Sequence, residues 1–227
     1  MNFKGFSKEG IEFLKKVEKN NTKEWFELHR HIWQKEIRDI SSSFVVEMGE
    51  TLQILLPEIN FEPKVGKSLF KIYRDTRFSK DKTPIKSKIG HIFWQGDGHK
   101  MQSSSFYLHY NKDSYFIASG IRAFKPELLK KYREYIKLDI HAQELDSILK
   151  ETKNKGYKLP EYGFKRLPKG FDKDDKYSYL ALYKAMFAYK EYPLDEIFFS
   201  PKVVDRAFKI YKELFPLQQW VYRMTNF

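Results

Sequence analysis

The chain has 227 residues, 41% of them hydrophobic and 17% aromatic, a formal net charge of +12 and no cysteine. That aromatic content suits a packed core and excludes a disordered chain, while the missing cysteines exclude disulfides, thiolate metal sites and thiol nucleophiles. No window reaches the roughly eighteen uninterrupted apolar residues of a membrane span and the N-terminus carries no apolar leader, so a cytoplasmic protein with no membrane partner is expected.

Helix signals come first. Ser7 is placed to cap a helix whose apolar positions Ile11, Leu14 and Val17 recur every third residue and which ends at Asn20 and Asn21. Thr22 then caps a longer helix, with a stripe from Phe26 through Trp33, Ile37, Phe44 and Met48 to Leu55, stopped by Pro57. A globular helix of that length predicts a break, and Ser41 to Ser43 is where hydroxyls compete for backbone carbonyls.

The middle of the chain reads as sheet. "SLFKIY" and "KIGHIFWQ" flank a charged loop as two strands, and "SSFYLHY" with "SYFIASGI", joined by "NKD", forms a hairpin over 104–121. Helices return at Pro126, at Asp139 as a cap, over "YSYLALYKAMFAY", and from Ser200 and Pro201 until Pro216. Between them "KLPEYGFKRLPKGFDKDDK" is a long connection of the kind that often carries function when ordered. No linker or repeat divides the chain. The expected fold is a single α+β domain over 1–227, a mostly antiparallel central sheet packed with several helices.

The charge is concentrated. Residues 64–88 hold nine basic and two acidic side chains, more than half of the chain's excess. Within them "RDTRFSKDKTP" places Arg74 and Arg77 three apart and Lys80 and Lys82 two apart, followed by Lys86. Arginine offers a planar donor fork that matches phosphate or carboxylate, and lysine adds compact charge, so a folded loop here predicts a site for an anionic ligand such as a nucleotide or nucleic acid. Asp75 and Asp81 would orient the cations or serve as a general base. Two aspartates cannot neutralise nine cations, which leaves a surplus for solvent, for Glu24 and Glu27, or for a ligand. Two other readings stand beside this one. In the first the chain is a nucleic-acid-binding module without catalysis; in the second the loop is an ion-pair brace anchored by Phe78, with a structural or protein-interaction role.

The same residues carry a resemblance. "FKGFSKEGIEFLKKVEKNNTKEWFELHR", "LFKIYRDTRFSKDKTPIKSKIG", "FYLHY", "ASGIR" and "KRLPKGFDKDDKYSYLALYKAM" occur in the order seen in a bacterial and fungal family catalogued as domain of unknown function 2461. Its most specific element is the run from Arg74 to Pro84; weaker ones are Asn20, Asn21, Trp25 and Phe26, the pair Ser119 and Gly120, and Pro168 to Phe171. The chain departs from the pattern at Ile85, where the family usually has tyrosine. The resemblance implies a compact cytoplasmic protein and brings no activity and no cofactor.

Other constellations are weaker. Trp25 could stack on a base beside the loop, and Arg166 and Lys169 form a second basic element in the long connection. His91, Asp97 and His99 have no metal-ligand spacing, His29 and His31 cannot share a helix face, and no phosphate-loop, dinucleotide or nucleophile-elbow motif is present. No metal site is expected, and the composition is silent on oligomeric state.

Overall fold

The computed structural model describes residues 2–227. Ser7 Oγ accepts the Gly10 N–H at 3.1 Å and donates to Glu36 Oε2 at 2.6 Å, which starts α1 (Lys8–Lys19) where the capping signal placed it. Thr22 caps α2 (Lys23–Leu28) through the Trp25 N–H. The expected long helix is interrupted at His29, whose backbone leaves helical geometry, and continues as α3 (Arg30–Ile32), a π-helical stretch over Trp33–Asp39, and α4 (Ile40–Leu52). Ser41 to Ser43 therefore lie in regular helix, contrary to expectation. The Ser42 and Ser43 hydroxyls donate to the carbonyls of Arg38 and Asp39, four residues back, so their competition falls on the last π-helical residues and the distortion precedes them.

The fold is α+β, with five antiparallel strands ordered β1 (Ile59–Asn60), β2 (Ile89–Gln95), β3 (Ser105–Tyr110), β4 (Ser114–Ile121) and β5 (Met186–Pro193). The predicted hairpin is β3 and β4; Asn111 Oδ1 accepts the N–H groups of Asp113 and Ser114 at 2.7 and 2.9 Å and closes its turn. "SLFKIY" does not form a ladder strand. Only residues 68–70 run along β2, through Phe70 N–H to the Gly90 carbonyl and Ile92 N–H to the Ser68 carbonyl.

After α5 (Pro126–Ile136) and α6 (Asp139–Asn154), the expected helix over 177–189 is instead a 3₁₀ turn, Ser178–Leu182, followed by β5. In β5 Met186 and Ala188 are buried while Phe187 and Tyr189 are half-exposed, a period of two that the Tyr- and Phe-rich composition also favours. Asp139 sits in the first turn of α6 and does not cap it; Leu138 holds that position with no side-chain bond. Pro216 does not end the chain's last helix. It occupies the start of a further one, α8 (Phe215–Thr225), directly after α7 (Lys202–Glu213), because the first helical turn has no use for the proline's missing N–H.

Two compact units share these elements. One comprises residues up to Phe93, Tyr107–Ile117 and Glu191–Lys209, and the other Trp94–Phe106, Ala118–Lys190 and Ile210–Phe227. The first is built on aromatic rings: Phe6 lies 4.7 Å from Phe198, 4.8 Å from Tyr110 and 5.0 Å from Phe44, centroid to centroid. The second buries Trp220, Tyr132, Phe106 and Tyr211; within it Gln218 Nε2 donates to Gln95 Oε1 at 2.9 Å and Tyr132 OH to the Leu180 carbonyl at 2.9 Å. Among the described residues no helix is long and apolar enough to cross a membrane.

Candidate functional site

The basic motif folds as an irregular ribbon in the first unit. Its limbs are tied by Arg74 N–H to the Pro84 carbonyl at 2.8 Å and Lys86 N–H to the Ile72 carbonyl at 2.9 Å, with a bridge between Tyr73 and Ile85. Asn21, at the end of α1, clamps the ribbon from outside: Nδ2 donates to the Ile85 carbonyl and Oδ1 accepts the Ile85 N–H, both at 2.9 Å. A side-chain amide thus pairs with one residue's backbone as a neighbouring strand would. Ile85 itself is buried.

The charged side chains of the ribbon close largely on one another. Arg74 Nη1 donates to Asp81 Oδ2 and, at 2.8 Å, to the Thr83 hydroxyl. Asp81 Oδ1 in turn accepts the Thr83 N–H at 2.9 Å and its hydroxyl at 2.7 Å, and these bonds together with Arg74 hold the Asp81 carboxyl at about 2. Arg77 grips Asp75 with its Nε and Nη2 at 3.0 and 2.7 Å; that fork and the Arg77 backbone N–H hold Asp75 at about 2 as well. Carboxylates this acidic are charged at every physiological pH and poor proton acceptors, which suits anchoring better than general-base work. Lys82 Nζ donates to the Thr76 carbonyl at 2.9 Å.

Phe78 does not anchor the loop. It is 97% exposed, with the Arg77 guanidinium over its ring, so the ribbon's apolar anchors are instead the buried Ile72 and Ile85. Glu27 takes part, through the Tyr73 hydroxyl at 2.6 Å and Arg30 at 2.9 Å, and not through the motif arginines. Trp25 stacks on His29, ring centroids 4.1 Å apart, with Phe13 at 5.6 Å, so one of its faces is already taken.

Lys86 differs from its neighbours. Half-buried, it donates to the Lys71 carbonyl at 2.6 Å and enters no ion pair among the described residues; burial first, then the charges of Lys88, Arg74 and Lys71, push its pKa down. Lys71, Lys80 and Lys88 are exposed.

The chain matches the family described as conserved hypothetical protein (DUF2461) over residues 9–220. It belongs to that family. No curated relative matches it. For a DUF2461 protein the motif ribbon is thus a structured element, and the family brings no activity to attach to it.

The remaining expected site residues lie elsewhere. Arg166 and Lys169 belong to the second unit, where Arg166 is exposed and Lys169 lines a cleft of about 400 Å³ with Leu129, Lys130, Arg133, Lys137 and Phe171. The Arg133 guanidinium and the Lys184 ammonium lie over the Phe164 ring at 4.6 and 4.1 Å, and Arg133 Nε and Nη2, both buried, have no hydrogen-bond partner among the described residues. A second cleft, about 350 Å³, lies beside α6 and the 3₁₀ turn and is lined by tyrosines and lysines that the sequence reading did not single out. The signal was the tyrosine at 177, 179 and 183, absorbed there into a predicted helix stripe. Among the described residues no group of three or more side chains could hold a metal. His91 is fully buried in the first unit, whereas Asp97 and His99 belong to the second.

Proposed function

We propose that the protein binds a phosphate-type anion, as carried by a nucleotide or a nucleic acid, at the face of the motif ribbon where Lys71, Arg74, Lys86 and Lys88 converge. Lys86 carries this reading: a half-buried ammonium surrounded by like charges, with donors to spare and no ion pair among the described residues, gains most from an incoming anion. Asp81 and Thr83 present Arg74 to that face. The proposed setting is cytoplasmic, and the proposal is of binding, without an assigned reaction.

The closure of Arg74 on Asp81 and of Arg77 on Asp75 favours the brace reading for those two arginines. Both roles fit one loop, arginines holding its shape and lysines meeting the ligand. The test is calorimetric titration with inorganic pyrophosphate and with a short single-stranded oligonucleotide over a range of salt. Lys71→Ala/Lys86→Ala should weaken pyrophosphate binding at least about tenfold, a charged hydrogen bond being worth roughly 1.5–3 kcal/mol, while Arg77→Ala leaves it within about twofold. Wild-type affinity in the double lysine variant would sink the proposal. A salt slope for the oligonucleotide corresponding to several phosphates would mark a nucleic-acid module, and a slope near that of pyrophosphate a single pocket.

A further inference from the structure

The cleft beside α6 combines two kinds of surface. Helical spacing puts Asp146, Lys150 and Lys153 on one face of α6, and the turn after the long connection brings Lys176, Tyr179 and Tyr183 against them. Its volume, about 350 Å³, lies within the range of small-ligand sites.

One wall is aromatic. Tyr162, 52% exposed, stands 4.9 Å from Tyr183 and 6.5 Å from Tyr179, centroid to centroid, at interplanar angles of 59° and 70°. Burial raises the Tyr183 and Tyr179 phenols, so both remain neutral donors at any working pH. Such rings present flat faces and hydroxyl edges together.

The other wall is cationic. Asp146 is nearly buried and fully committed: Lys150 Nζ donates to one oxygen at 2.8 Å and the Tyr179 hydroxyl to the other at 2.7 Å. Burial pushes its carboxyl up, and these two bonds together with the charges of Lys150 and Lys176 outweigh the burial and leave it below the usual range. Asp146 thus neutralises Lys150 and fixes Tyr179. Lys153 and Lys176 enter no ion pair among the described residues, so the cleft keeps a net positive charge at one edge.

A ligand that matches both walls has a planar aromatic ring and an attached phosphate. We propose that this cleft binds a mononucleotide, its base against Tyr162 and Tyr183 and its phosphate at Lys153 and Lys176. Stacking on a tyrosine face tolerates any base, so the site reads the class of ligand more than the base. This site is separate from the motif ribbon and does not rest on it.

The experiment uses the full chain carrying Lys71→Ala/Lys86→Ala, so that binding at the ribbon is weakened, with AMP, adenosine and inorganic phosphate as probes in calorimetry and saturation-transfer NMR. AMP should bind more tightly than adenosine or phosphate alone, with saturation reaching the base protons. Lys153→Ala/Lys176→Ala should weaken AMP about tenfold or more and leave adenosine unchanged. Tyr162→Ala, at an exposed position that leaves the fold intact by circular dichroism, should weaken AMP and adenosine alike. No AMP binding at millimolar concentration would overturn the proposal. So would phosphate binding as well as AMP with no effect of Tyr162→Ala, which would make the cleft a simple anion site.

Discussion

His91 offers a measurable consequence of burial. It sits on β2 with no exposed surface, and the rings of Phe44, Phe6 and Tyr110 lie 5.1, 5.7 and 6.1 Å from its own. Burial pushes its pKa down to about 3 from an ordinary 6.5, with the Leu108 backbone opposing and the His109 charge adding to the shift. Between those two values the unfolded chain binds a proton that the folded chain refuses, so stability is complete above pH 6.5 and falls as the pH drops toward 3. At about 1.4 kcal/mol for each pH unit, the full loss is about 5 kcal/mol, comparable to the whole stability of many domains. Urea unfolding followed by circular dichroism between about pH 7 and 4.5 should show that slope in the wild-type chain. His91→Leu, of similar volume, should flatten it, because carboxylates contribute little until lower pH. If the two proteins lose stability in parallel over that interval, either His91 is protonated in the folded state or its burial is not what sets its charge.

Two further substitutions test the geometry that positions the strands and the ribbon. Gly120 has a φ of +121°, and a Cβ there would stand 2.1 Å from the Met186 carbonyl oxygen, so Gly120→Ala should cost about 3 kcal/mol or more; a shift in the urea midpoint worth less than about 1 kcal/mol would contradict the close approach of β4 and β5. Asn21→Ala removes both bonds to the Ile85 backbone and should destabilise the ribbon locally by roughly 1–3 kcal/mol, read as about ten- to hundredfold faster hydrogen exchange at the Ile85 amide with little change in exchange at the α8 core. Unchanged exchange at Ile85 would show that the clamp does not hold the loop.

The parts of the fold that were legible from sequence are those fixed by short-range chemistry. Ser7 with Ile11, Leu14 and Val17 marked α1, and aromatic runs on either side of Asn111 marked the hairpin, because cap, period and turn residue each act within a few positions. β5 was missed because a 3₁₀ turn supplies one turn of helical spacing just before it, and the period of two emerges only at Met186. The motif's surplus charge was visible, but the pairing of Arg74 with Asp81 seven residues away, and the clamp by Asn21 across 64 residues, depend on how the ribbon folds back. The tyrosine cleft was invisible for the same reason: α6 and the 3₁₀ turn contribute its walls from stretches separated by the long connection.

The short pairing of residues 68–70 along β2 bears on how the protein avoids its own copies. A sheet bordered by an open strand is a template onto which another chain can add. Here β1 covers β2 with only two residues, and residues 68–70 occupy the next N–H and C=O groups before the chain turns away into the lysine-rich ribbon. At the opposite border Lys158 exchanges both backbone bonds with Tyr189 of β5, at 2.9 and 3.0 Å. A lysine-bearing segment therefore stands at each border, and a second molecule approaching in register would meet its own charge. Charge at both borders is the arrangement that disfavours edge-to-edge pairing of a strongly aromatic, sheet-forming chain.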